Sequence, residues 1–256
     1  MRVCLLASGS KGNAIYIESR ETRLLIDAGL SAREITQRLA QIDVGAESLH
    51  ALLVTHEHSD HCRGLGPLAR RYRLPVYLNP ETRGALPNPG RIDHLQEFDN
   101  GDRIDLRDLS IRAIPLTHDA ASPVGYLIET SEGKIGLATD LGIATRLVAD
   151  RLRECRVLIL ESNHDEEMLR DGPYPWPLKQ RVRSNHGHLS NGASSELLKG
   201  LLWEGLEAVF LAHLSEVNNR PELAEGCASG VIDAQNRCRP RLIVGSQHRT
   251  SCCFTV

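Results

Sequence analysis

The chain is 256 residues long, 25% charged with both signs interspersed, and carries a formal net charge of -3. That composition excludes a fibrous or disordered chain and a general basic footprint for nucleic acid, so an anionic ligand has to be met by a local cluster. Positive charge is mostly arginine, with lysine only at positions 11, 134, 179 and 199; the seven cysteines are odd in number and include no C-x-x-C pair, which suggests reduced thiols in a cytoplasm rather than a disulfide frame.

The opening "MRVCLLASGSKGN" has one positive charge and an apolar run too short for a signal peptide, and it reads as a first strand. Further strands are expected at "NAIYIES" and "TRLLIDAG", a helix over Ser31 to Gln41, a strand at "HALLVTH" and a helix over His61 to Tyr72. "LPVYLN", "LSIRAIPLTH", "PVGYLIET" and "KIGLATD" continue the strand series, followed by a helix over Ile143 to Glu154 and a strand at "RVLILES". "DGPYPWPLKQRVRSNHGH" reads as a proline-interrupted loop and a polar segment. A helix over Ser190 to Trp203, a strand at "AVFLAH", a helix over Pro221 to Ile232 and a strand at "RLIVG" complete the pattern, and the closing "HRTSCCFTV" receives no role. The whole is a mixed α/β chain, with one domain expected over residues 1–256. No run of about 20 apolar residues occurs, so no membrane-spanning helix is expected. A faint internal echo links "LLIDAGL" and "GLATDLG", each an apolar strand that ends in Asp with Gly two positions on, as two related half-units would produce.

Three apolar runs finish in histidine, at His56, His118 and His213, and two in aspartate, at Asp27 and Asp140. Ligands of open α/β sheets sit beyond the carboxyl ends of strands, so convergence of these ends would assemble a site. The segment His56-x-His58-x-Asp60-His61 adds imidazole and carboxylate groups that suit divalent zinc or manganese. In an extended segment His56 and His58 point the same way and can share one ion, while the turn into the following helix swings Asp60 and His61 toward a second. A chain of this composition would contain such a six-residue pattern by chance roughly once in a thousand.

These residues resemble the motifs of the metallo-β-lactamase fold superfamily. The resemblance implies a four-layer αββα sandwich with a dinuclear site in the groove between two sheets. It implies His56, His58 and His118 on one metal, Asp60, His61 and His213 on the other, Asp140 bridging them, and Asp27 orienting a ligand from behind. A water or hydroxide shared by the two metals would be the nucleophile. Within that superfamily, "ASGSKGN", "THEHSDH", "LESNHDEEMLRDGPYPWPLKQRVRSNHGHLSN" and "LAHLSEVNNRPELA" are similar to the YycJ (WalJ) group. That group resembles ribonuclease Z in its catalytic half and is implied to be a 5′-to-3′ exonuclease on DNA. By the same resemblance, "GHLSN" makes His188 the donor of a proton to the departing oxygen.

Phosphodiester hydrolysis asks for charge neutralisation, an in-line nucleophile and an acid for the leaving group, which two metals and an imidazole supply. Lys179, Arg181, Arg183, His186 and His188 form a local basic patch for a phosphate backbone, or else a solvated helix end; Lys11 offers a phosphate contact, or else belongs to an ordinary turn. Tyr174 and Trp176 could stack a base, or pack on their own proline-rich loop. No inserted β-CASP unit or tRNA-clasping arm is present, which favours DNA ends or short oligonucleotides over structured RNA. Two alternatives stay open: a phosphodiesterase on small cyclic or nucleotide esters, and a metal-stabilised non-catalytic partner in cell-wall signalling. A β-lactamase or thioesterase suits the motifs less well.

Overall fold

Strands buried on both faces read as continuous apolar runs, and the period of two decides which layer each side chain enters. In the computed structural model, which describes residues 1–256, Val3 and Leu5 of β1 (Arg2–Ala7) enter one core while Cys4 and Leu6 enter another. The first sheet orders β14 (Phe254–Thr255), β1, β2 (Ala14–Glu18), β3 (Arg23–Ile26), β4 (Ala51–Leu53), β5 (Val76–Leu78) and β6 (Leu95–Glu97). The second orders β13 (Arg241–Val244), β12 (Ala208–Ala212), β11 (Val157–Glu161), β10 (Gly133–Ala138), β9 (Val124–Thr130), β8 (Leu109–Pro115) and β7 (Arg103–Leu106).

Ile15, Ile17, Leu24 and Ile26 of the first sheet meet Tyr126, Ile135, Leu137, Ile159 and Phe210 of the second in a shared central core. The outer faces are covered by helices. Ile35 and Leu39 of α1 (Ala32–Ala40) and Leu65 and Leu68 of α3 (Leu65–Tyr72) pack on Leu25 and Leu52, whereas Val148 of α5 (Arg146–Arg151), Leu197 and Leu201 of α8 (Asn191–Leu201) and Ala228 of α9 (Pro221–Asp233) pack on Leu158, Leu160 and Leu211. The four layers are therefore αββα, as the motif resemblance implies.

The echo between the halves is carried by topology. In the first sheet β1, β2 and β3 are antiparallel and β3 to β6 parallel; in the second, β8, β9 and β10 are antiparallel and β10 to β13 parallel. Asp27 and Asp140 follow equivalent strands, β3 and β10, and both adopt a left-handed backbone with φ of 61°.

The structure differs from the sequence reading in places. The helix expected over residues 61–72 is split, because the histidine segment forms its own short turn, α2 (Ser59–Cys62), before α3 starts. The segment expected as loop, which begins at Asp171, contains α7 (Trp176–Arg183); α6 (Glu166–Asp171) ends where it starts, and a further helix, α4 (Pro80–Ala85), lacks a long apolar face. Prolines begin α4 and α7 rather than break them, since a first-turn proline has no N–H to lose. Finally, the unassigned C-terminus supplies β14, which pairs antiparallel with β1 through Arg2–Thr255 and Val3–Phe254. Just before it, Ser251 exchanges bonds with Leu5 at 2.9 and 3.0 Å, and the Cys4 thiol donates to the Ser251 carbonyl at 3.3 Å. Deleting residues 251–256 should cost about 2–4 kcal/mol, from a few lost hydrogen bonds and an exposed strand edge, and should promote association. Denaturant melts and size-exclusion profiles of the truncated chain check both.

Candidate metal centre

Most strands of both sheets direct their carboxyl ends to one edge. Ser8 follows β1, Asp27 β3, His56 β4, His118 β8, Asp140 β10 and His213 β12, while Glu161 ends β11. Asp27, Asp140 and His213 have positive φ of 61°, 61° and 57°, a conformation that costs roughly 1–3 kcal/mol each outside glycine and turns each residue sharply out of its strand.

Asp27 is the post on which the first half of the site is hung. Its carboxylate accepts from the Thr55 backbone N–H and hydroxyl, each at 2.8 Å, and from His61 Nδ1 at 2.7 Å. The Thr55 hydroxyl in turn accepts from His56 Nδ1 at 2.9 Å. The loop 56–62 is stapled down by Asn13 N–H to the Asp60 carbonyl and Ala28 N–H to the His61 carbonyl, both at 2.7 Å. This approach explains Gly29, where a Cβ would lie 1.6 Å from the Asp60 carbonyl oxygen.

Glu161 plays the matching part in the second half. It accepts from His188 Nδ1 at 2.7 Å, His213 Nδ1 at 3.0 Å and the backbone N–H groups of Leu189 and Leu141 at 2.9 and 3.2 Å. His118 Nδ1 donates to the Gly187 carbonyl at 3.0 Å, and Ser8 Oγ accepts the His213 N–H at 2.7 Å, tying the two sheets together at the edge. With their Nδ1 atoms engaged, His56, His61 and His118 turn Nε2 inward, whereas His58 brings Nδ1 to 3.1 Å from His56 Nε2.

The inward atoms form overlapping sets. Ligand-type atoms of His56, His58 and His118 lie within 4.8 Å of one another, as do those of Asp60, His61 and His213, and those of Asp140, Glu161, His188 and His213. Asp140 stands between them, 3.4 Å from His61 Nε2, 3.9 Å from His118 Nε2 and 3.4 Å from His213 Nδ1. Asp140 Oδ2 and His213 Nε2 are buried without a hydrogen-bond partner, which a bound cation would relieve. Burial, reinforced by neighbouring imidazoles, pushes His56 well below its usual range, and burial also lowers His118, so both are held neutral. For His61 burial acts downward too, but Asp140 and Asp27 outweigh it and raise the group to about 9; His213 is likewise lifted against burial by Asp140, Asp60 and Glu161. The site is thus rich in carboxylate, with neutral imidazoles on one side and imidazoles drawn into ion pairs on the other. Its donor chemistry fits a divalent metal.

His56, His58, Asp60, His61, His118, Asp140, His188 and His213, with Asp27 behind His61, are all brought to this edge. The expected basic patch is dispersed. Lys11 pairs with Glu216 at 2.6 Å, Lys179 donates to the Arg170 carbonyl at 2.6 Å, and Arg183 and His186 are exposed. Arg181 alone of these lines the cleft, paired with Asp119; Tyr174 lines it too, and Trp176 does not. Sequence reasoning missed Glu161, although "RVLILES" is one more apolar run that ends in an acid, and missed Asp119 beside His118.

Residues 22–213 match the family model described as beta-lactamase superfamily domain. The exodeoxyribonuclease WalJ of Streptococcus pneumoniae serotype 2 (strain D39) is 40% identical over 86% of this chain and 84% of its own length. The chain belongs to the β-lactamase superfamily, in its WalJ/YycJ group. A second member of that group, the exodeoxyribonuclease YycJ of Bacillus anthracis, is 38% identical over 90% of this chain and 88% of its own. Among solved structures, the metallo-β-lactamase fold protein YhfI of Bacillus subtilis shares the superfamily fold with a TM-score of 0.75 at 15% identity, over 97% of this chain and 98% of that one. Because Gly29 is pressed against the superfamily's histidine loop, Gly29→Ala should destabilise the chain by about 1–3 kcal/mol and lower its metal content. Thermal melting and elemental analysis of the purified variant check this.

Proposed function

We propose that the chain is a divalent-metal-dependent phosphodiester hydrolase that degrades DNA from its 5′ end. The observation that carries this reading is the juxtaposition of the acid-rich histidine cluster with His188, which lines the same cleft and has Nδ1 bonded to Glu161. The likeness over most of their length to relatives named exodeoxyribonucleases supports DNA as the substrate.

In this reading His56, His58 and His118 hold one ion, Asp60, His61 and His213 hold a second, and Asp140 is shared. Zinc and manganese both suit such a mixed set. When bound, the ions neutralise the phosphate and lower the pKa of an attacking water toward neutrality. The remaining work falls to the chain itself. Asp27 fixes the orientation of His61 directly and of His56 through Thr55. Glu161 keeps the Nδ1–H of His188 in place, so that Nε2 is the nitrogen left to deliver a proton to the departing oxygen. Asp119 holds Arg181 at the cleft, where the guanidinium can meet a phosphate of the strand. Lys11, Lys179, Arg183 and His186 are left to contacts with DNA beyond the cleft, which for Lys11 and Lys179 require release from Glu216 and Arg170. The buried free thiols of Cys4, Cys62, Cys155 and Cys238 support a reducing, cytoplasmic setting.

Duplex DNA labelled separately at each end should lose its 5′ label first in the presence of manganese or zinc. Asp140→Ala or chelation should reduce the rate at least about a thousandfold while circular dichroism shows the chain still folded at the assay temperature. Hydrolysis of bis-p-nitrophenyl phosphate without digestion of DNA would transfer the reading to small phosphodiesters, and no hydrolysis of either would favour a scaffold. Separately, Asp27→Asn should weaken metal binding about 10–100-fold by releasing the orientation of His61, as read by competition with a metal-sensitive dye.

A further inference from the structure

We propose that the wall of the cleft formed by Tyr174, Leu178 and Val182, together with the amide of Asn218, is a nucleobase subsite that seats the terminal nucleotide of the strand while its phosphate lies over the histidine cluster. The inference deepens the nuclease reading and rests on it.

Helix α7 places none of its side chains in the core, and its Trp176 is 68% exposed. Leu178 and Val182, four residues apart on one helical face, are half-buried and line the cleft, and Tyr174, in the bend before the helix, lines it beside them. In a cleft otherwise lined by polar and ionisable groups, these are the apolar side chains. Metal chemistry on a phosphate gives no reason for such a wall. The flat face of a base does, and stacking on it is tolerant of sequence, as removal of nucleotides of any base requires.

Asn218 supplies the edge-reading group. It is 1% exposed, yet neither Oδ1 nor Nδ2 has a partner. Its neighbour Asn219 shows the contrast, with Nδ2 donating to the carbonyls of Ser162 and Asn163 and to Asn191 Oδ1. The backbone of Asn218 is held firmly, with its N–H donating to Ser215 Oγ at 3.1 Å and its carbonyl accepting from Asp165 at 2.9 Å. In the lining of the cleft this amide, on a fixed backbone, keeps one donor and one acceptor group unpaired, a pattern complementary to the polar edges of bases. The loop that carries Tyr174 is pressed onto the same residue: a Cβ on Gly172 would lie 2.4 Å from Asn218 Oδ1. That contact sets the loop of Tyr174 beside the amide. The cleft volume of about 360 Å³ is at the small end of ligand sites, of a size for one nucleotide.

Equilibrium binding to the manganese-loaded full chain tests the subsite, with 2′-deoxyadenosine 5′-monophosphate and 2-deoxyribose 5-phosphate as paired probes. The nucleotide should bind about tenfold or more tightly than the sugar phosphate, and Tyr174→Ala and Asn218→Ala should each remove most of that difference while changing sugar-phosphate affinity by less than about twofold. Equal affinity of the two probes, or nucleotide affinity unchanged in both variants, overturns the subsite. Should Asn218→Ala melt early, Tyr174→Ala, altered in a half-buried loop, decides. A parent that digests DNA but shows no base-dependent affinity removes the subsite alone; one that binds the nucleotide through Tyr174 but leaves DNA intact removes the nuclease reading and keeps the subsite.

Discussion

Asp27, Asp140 and Glu161 are buried to 2%, 2% and 0% exposure at the strand ends, and no lysine or arginine is buried with them. Carboxylates taken out of water demand positive partners or hydrogen-bond donors, and here the demand is met by imidazoles, backbone N–H groups and hydroxyls. That requirement organises the surroundings. It fixes which nitrogen of each ring faces inward, explains why loop 56–62 is pinned to the turn after β3, and creates the field that draws His61 and His213 into charged pairs. A divalent cation is the partner that satisfies such a cluster most fully, and the layered sheets supply a rigid frame that holds the donors ready for it.

The two halves use one plan for different ends. Each runs from an antiparallel meander into parallel strands, and each places an aspartate in left-handed backbone after its central strand, followed two positions later by a glycine against which another loop is packed. At Gly29 that loop contains Asp60, and at Gly142 it contains Asn185. Asp27 turns its oxygens to the protein, while Asp140 turns them to the centre of the cluster. The division of labour, support from one half and shared ligand from the other, follows from what each strand's neighbours offer.

Much of this was legible in the chain itself. The histidine segment after "LLVTH", the strand-terminal His118 and His213 and the paired aspartates all announced themselves, because a charged or imidazole residue at the end of an apolar run has few structural reasons to be there. What stayed hidden was relational. Glu161 looks like an ordinary strand end until His188, 27 residues on, is seen to donate to it. The basic trio of α7 looked like one surface, yet helical geometry points Arg181 to the cleft and leaves Arg183 and Lys179 elsewhere. The prolines of the 172–177 segment suggested a loop because their role in starting α7 depends on φ, not on hydropathy. The last six residues carried no pattern of their own, since a two-residue edge strand is defined by its partner.

That edge strand sets an order of events during synthesis. Chains emerge from the ribosome N-terminus first at about 5–20 residues per second. β1 emerges before the other strands of its sheet, but the strand that covers its outer edge, β14, follows some 250 residues later, as the pairing of Val3 with Phe254 requires. Throughout that interval the apolar ribbon "RVCLLA" has an open side, guarded only by its pairing with β2. Pairing with β14 therefore closes this edge only after the strands of both halves have emerged, and until then the first strand stays open to other chains.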